Sequence, residues 1–164
     1  MNEAVYLVKI GELMLKSGNL KDFEQRLVQN ARLLIEGTGS RVSLRAGRMY
    51  VEGPEQAAAS IEFMLNHLVG ITGWARATVI SKDIDSIKKA VLAEALKAKE
   101  AGYKTFKIEA RRSDKSFALN SYEIARLAGE AVYDRGIMAV DVHHPEIEIA
   151  VEVRERCFVY GNEH

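Results

Sequence analysis

Residues 146–155, EIEIAVEVRE, put Ile147, Ile149, Val151 and Val153 at every second position, with Glu146, Glu148, Glu152 and Arg154 among the residues between them. Only an extended chain sends alternate side chains to opposite faces, so this segment has to be a strand with one face on a core and the other, carboxylate-bearing face read as a solvated surface. CFVYG, from Cys157, follows as its hairpin partner. A sheet with one apolar face needs a cover, and two neighbouring segments change period to supply it. In SKDIDSIKKAVLAEALKAKEAG, Asp83 or Asp85 can cap a helix whose stripe is Ile84, Ile87, Val91, Ala95 and Leu96 and which Gly102 closes. A second helix opens at Asn120 or Ser121, with Glu123 at capping-box distance, turns Ile124, Leu127, Ala128, Ala131 and Val132 inward and stops at Gly136. Between them TFKIEARR alternates Phe106, Ile108 and Ala110 with Lys107, Glu109 and Arg111, which is again a strand.

The first half of the chain shows the same change of period. VYLVKI reads as an opening strand, and Asn19 as the N-cap of a helix carrying Leu20, Phe23, Leu27, Ala31, Leu34 and Ile35 on one stripe. RVSLRA and RMYVEG flank Gly47 as a hairpin, PEQAAASIEFMLNHLVG follows as a helix, and GWARATVIS as a further strand. Strand, helix, strand, strand, helix, strand is the order of a split βαβ, or ferredoxin-like, unit. The expected fold is therefore α/β (α+β), in two domains spanning residues 1–81 and 82–164.

Reactive constellations are scarce. No stretch matches the glycine-rich phosphate loop GxxxxGK[ST]. His143 and His144 are adjacent on a segment expected to be extended, so they diverge and make a poor chelate. Cys157 lies in an apolar run, where burial leaves a thiol inert. No apolar run approaches the roughly 20 residues of a membrane helix, and no secretory leader is evident, so the expected location is the cytoplasm without membrane attachment.

What remains is KIEARRSDKSFALNSYEIARLAG, residues 107–129, where a strand hands over to a helix. Lys107, Arg111, Arg112 and Lys115, with Lys104 nearby, crowd cations beside a helix start, and Asn120 and Ser121 add hydrogen-bonding groups. Guanidinium groups fork onto phosphate oxygens, so the pattern points to a polyanion backbone. The chain's 23 basic and 23 acidic residues cancel, and such binding must come from a local patch. Phe117 either anchors the loop in the core, the reading we favour, or offers a face for a base. The competing reading of the cluster is a solvated loop partly neutralised by Glu109 and Asp114.

TFKIEARRSDKSFALNSYEIARLAGEAV, followed by VDVHHPEIEIAVEVRE and FVYG, resembles the THUMP domain, an RNA-binding module of tRNA thiolation, methylation and pseudouridylation enzymes. VKIGELMLKSGNLKDFEQRLVQN with GRMYVEG resembles the ferredoxin-like domain that precedes THUMP in tRNA 4-thiouridine synthetases of the ThiI type. The resemblance implies recognition of the 3′ acceptor end of tRNA, its acceptor stem and CCA, through Lys104, Lys107, Arg111, Arg112, Lys115, Asn120 and Ser121. Lys16 and Asn19 are weaker candidates for backbone contacts. It further implies a PP-loop catalytic domain, in cis beyond His164 or in trans, that would use ATP and insert sulfur at uridine eight. A possible homodimer is implied too, with no catalytic residue, metal or cofactor in this chain. A protein-interaction or small-ligand regulatory module of the same fold is the alternative, because ferredoxin-like units host many functions.

Overall fold

The computed structural model describes residues 3–11 and 20–164. Two compact units divide the chain between Arg76 and Ala77, with Glu163 and His164 belonging to the first.

In the first unit, β1 (Glu3–Ile10), α1 (Leu20–Leu34), β2 (Arg41–Arg45), β3 (Arg48–Pro54), a 3-10 turn (Glu55–Ala57), α2 (Ala58–His67) and the start of β4 (Ile71–Ile80) follow in sequence. The strands lie in the order β2-β3-β1-β4, with β1 and β2 both antiparallel to β3. Ala46 and Gly47 turn the β2–β3 hairpin with φ of 50° and 78°, the doubly left-handed backbone that a two-residue hairpin loop needs. The helices cover one face of the sheet, where Tyr6, Val8, Met49, Val51, Leu27, Ala31, Ile61, Leu65 and Trp74 share a core. α1 buries Leu27, Val28 and Ala31, and Ile35 continues the stripe just beyond it. Leu34, expected on that stripe, is 60% exposed, since the buried face follows the 28–31–35 spacing and leaves position 34 at its margin.

The second unit contains the end of β4, then α3 (Ile84–Glu100), β5 (Thr105–Arg112), α4 (Ser121–Asp134), β6 (Ala139–Val140), β7 (Ile147–Val153) and β8 (Cys157–Tyr160). The second half of β4 belongs here because Thr78, Val79 and Ile80 pair with Val159, Phe158 and Cys157. Strand order is β4-β8-β7-β5-β6, with β5 parallel to both β7 and β6. β5, α4 and β7 thus form a βαβ crossover, and α3 and α4 pack their apolar stripes onto Phe106, Ile108, Ile149, Val151 and Val153. Leu96 was expected inside but is 48% exposed, while Ala98 is buried. Asp83 caps α3 by accepting from the Ser86 amide at 2.7 Å. In open α/β sheets, ligands favour the carboxyl ends of parallel strands, which here is where Arg112 leads into α4.

Among the described residues, no helix is long and apolar enough to cross a membrane.

Gly53, in β3, faces Ser40 and Ile61: a Cβ there would clash with the Ser40 hydroxyl and lie 3.0 Å from the Ser40 Cβ and 3.3 Å from Ile61 Cδ1. Gly53→Ala should lower stability by about 1–3 kcal/mol in urea unfolding, and Ser40→Gly in the same chain should restore part of the loss. Additive losses would show that Ser40 is not the obstruction.

Candidate nucleic-acid interface

β5 pairs residue by residue with β7, from Phe106 opposite Ile147 to Arg112 opposite Val153. The pleat therefore sends Arg111 to the face that also bears Lys107 and Glu109, and Arg112 to the helix-covered face of Ile108 and Ala110. The two adjacent arginines have different environments as a result. Arg112 is half-buried, and its Nη1 donates to the carbonyls of Phe117 at 3.0 Å and Lys115 at 3.3 Å. The side chains of Arg111 and Lys115, both exposed, make no hydrogen bond or ion pair among the described residues.

The loop they bracket is pinned at several points. The amides of Ser113 and Asp114 donate to the Val153 carbonyl at 2.9 and 3.3 Å, which carries the β5–β7 pairing into the loop. Asp114 Oδ1 accepts from the Ser116 amide at 3.0 Å and the Ser116 hydroxyl at 2.5 Å, while Oδ2 accepts from Lys82 Nζ at 2.6 Å. The Lys82 ammonium first, and the Ser116 donors next, hold the Asp114 carboxyl well below the ordinary carboxylate range. Phe117 and Leu119 pack against the core, so Phe117 is an anchor and not a free stacking face.

α4 begins with a complete capping box: the Glu123 amide donates to Asn120 Oδ1 at 2.9 Å, and the Asn120 amide donates to Glu123 Oε1 at 3.1 Å. The capping box expected from Glu123 is formed, and it engages Asn120, which was expected to offer its hydrogen-bonding groups to a ligand. Asn120 Oδ1 is committed to the cap, and of the helix-start amides only those of Ser121 and Tyr122 lack an acceptor among the described residues.

The remaining predicted residues do not converge on the loop. Lys107 sits in mid-strand, about 13 Å from Arg111 by strand rise, and pairs with Glu109 at 3.4 Å. Lys104 precedes β5 at its opposite end, roughly 23 Å from Arg111 along the strand. Its carbonyl accepts from the Ala139 amide at 3.2 Å. Lys16 and Asn19 lie outside the described residues. Neither carboxylate expected to neutralise the arginines does so, since Glu109 is paired with Lys107 and Asp114 with Lys82. Lys82 itself is a site residue that sequence reasoning missed, and no local signal marks a contact 32 residues away.

Three other expectations are resolved nearby. Glu152 is not on a solvated surface: it is 1% exposed, accepting from Arg154 Nε at 2.9 Å and from the Tyr160 hydroxyl. His143 and His144 are not extended but belong to a turn in which both their amides donate to Asp141 Oδ1, at 3.1 and 2.9 Å. Cys157 is fully buried, which pushes its thiol up to about 11.

Comparison with known families gives residues 81–161 as a match to the THUMP domain and residues 5–75 as a match to the ThiI ferredoxin-like domain. The chain is a ThiI ferredoxin-like domain followed by a THUMP domain. It is 45% identical over 159 residues to a probable tRNA sulfurtransferase of Treponema pallidum, covering 95% of this chain and 40% of that protein. With a probable tRNA sulfurtransferase of Alkaliphilus oremlandii the identity is 35%, over 98% of this chain and 42% of the relative. The chain thus spans about two fifths of the length of these curated relatives. Among solved structures, a 4-thiouridine synthetase in complex with RNA and ATP superposes with a TM-score of 0.83 at 29% identity, covering 99% of this chain and 42% of that one.

Within the THUMP domain the two arginines should separate in a stability measurement. Arg112→Ala leaves two loop carbonyls without their donor and should cost about 1 kcal/mol, while Arg111→Ala should stay within about 0.5 kcal/mol of the parent. Equal losses in urea unfolding would overturn the assignment of Arg112 to the loop.

The Lys82–Asp114 contact gives a pH dependence of definite sign. A carboxyl depressed in the folded state contributes fully above the unfolded value, about 3.9, and loses its contribution as the pH falls through the folded value. Asp114→Ala should therefore lower the urea midpoint at pH 7, with the gap to the parent narrowing below about pH 4. A gap of constant size down to pH 2 would assign the loss to something other than the charge.

Proposed function

We propose that this chain is a tRNA-binding module that recognises the 3′ acceptor end and serves 4-thiouridine formation by a PP-loop sulfurtransferase domain, in cis or in trans. One observation carries the reading: the side chains of Arg111 and Lys115 stand exposed and, among the described residues, without a hydrogen-bond or ion-pair partner, at a pinned loop beyond the carboxyl end of β5. The cation next to them, Arg112, holds the loop's shape, and the acid adjacent to Lys115 in sequence, Asp114, is occupied by Lys82. The loop therefore offers uncompensated positive charge on a rigid frame although the chain as a whole is neutral. Fixed cations of this kind suit phosphates, and a fixed loop limits the ordering cost of binding. The likeness to tRNA sulfurtransferases and to an RNA-bound 4-thiouridine synthetase supports tRNA as the polyanion and thiouridine formation as the process it serves.

Fluorescence anisotropy with an acceptor-stem hairpin ending in CCA, and with the same hairpin trimmed of its single-stranded end, tests this. The CCA hairpin should bind more tightly, affinity should fall steeply as salt rises, and Arg111→Ala should reduce the slope of log K against log salt by about 1. Equal affinity for the two hairpins would defeat recognition of the terminus.

A further inference from the structure

The β7–β8 hairpin brings a further guanidinium to the face that bears Arg111. Arg111 pairs in register with Glu152 of β7, and register partners in a parallel ladder point to the same side, on strands about 4.8 Å apart. Arg154 follows Glu152 by two residues and folds back onto that side, where its Nε donates to Glu152 Oε1 at 2.9 Å. Arg111 and Arg154 therefore flank one carboxylate on the side of the sheet opposite α3 and α4. The backbone fixes the pair as well. The Arg154 amide donates to the Arg156 carbonyl at 2.9 Å, which closes the hairpin turn, and the loop amides of Ser113 and Asp114 sit on the carbonyl of Val153, the residue before Arg154.

Glu152 is 1% exposed, and its second oxygen accepts from the Tyr160 hydroxyl, so Arg154 meets it through Nε alone and not through a two-bond fork. A guanidinium carries five N–H donors, and those on Nη1 and Nη2 of Arg154 have no acceptor among the described residues. The Arg154 side chain keeps 20% of its surface in water. We propose that Arg154 is a phosphate ligand of the bound strand, set in place by Glu152 and acting beside Arg111, an inference that rests on the RNA-binding reading above. Glu152 is a positioning residue: a buried carboxylate on Nε fixes the guanidinium before RNA arrives, which lowers the ordering cost of binding, and the terminal Nη pair forks onto phosphate oxygens. Such a contact carries no sequence information.

Fluorescence anisotropy with the whole chain and the CCA hairpin tests this, with Arg154→Lys as the deciding variant, because lysine keeps a charge against Glu152 but has no planar fork to extend beyond it. Arg154→Lys should bind about 10- to 100-fold more weakly than the parent. Arg154→Ala should lower the slope of log K against log salt by about 1, and Arg111→Ala with Arg154→Ala by about 2; a role confined to folding would leave the slope unmoved and overturn the proposal. Glu152→Gln combined with Arg154→Gln removes one charge of each sign, so the local net charge is unchanged, yet affinity should fall as far as in Arg154→Lys. Replacing the terminal CCA by UUU should leave the size of these losses the same, and a loss confined to CCA would overturn the phosphate assignment. Parental affinity for Arg154→Lys and for the Gln pair, with Arg111→Ala still weakened, would overturn the role of Arg154 alone and leave it as the neutraliser of Glu152. If the parent binds neither hairpin, both this inference and the reading beneath it fall.

Discussion

β5 is hydrogen-bonded on both sides, to β7 through seven residue pairs and to β6 through two, so its pleat cannot slip without breaking two ladders at once. That constraint decides what the loop beyond it can be. Because the strand arrives in fixed register, Arg112 emerges on the helix side, within reach of the carbonyls of Lys115 and Phe117, and Arg111 emerges on the other. Sheet pairing extends past the strand through the Ser113 and Asp114 amides on Val153, and a capping box closes the loop at its far end. A loop tied at both ends and across its middle gains rigidity without burial of its outer surface. The result is a charged segment that stays accessible yet ordered, the combination a binding loop requires.

Elements governed by local periodicity were legible in the sequence. The 147–153 strand, the hairpin around Gly47, the Asp83 cap and the Asn120–Glu123 capping box all depend on residues within a few positions of one another. The candidate site was legible only as a segment. Composition placed cations between residues 104 and 121, but which of them cooperate depends on pleat and distance. Lys104 and Arg111 are neighbours in a list of charges and lie at opposite ends of a strand. Adjacent residues on a strand diverge, and that rule alone separates Arg111 from Arg112. The rule does not hold at His143 and His144, since Asp141 folds that pair into a turn.

Contacts remote in sequence were not legible. Lys82 reaches Asp114 across the whole of α3 and β5. The burial of Glu152 with Tyr160 and Arg154 breaks the simple correspondence of alternation with exposure in β7. A carboxylate at 1% exposure is tolerable because hydrogen bonds replace its water, a compensation that no one-strand pattern encodes. The same lesson applies to acidic neighbours of the loop. Asp114 looked like a charge that would cancel an arginine, and in the fold it cancels a lysine from another segment.

The opposed directions of Arg111 and Arg112 make their roles a matter of parity. A one-residue slip confined to the end of β5, beyond Ala110, would rotate the pair by half a turn, handing the carbonyl-binding task to the first arginine and the outward position to the second. With two identical side chains in succession, such a half-turn would still leave one guanidinium inside and one outside. The doublet therefore makes the loop tolerant of slippage in the very strand that supports it.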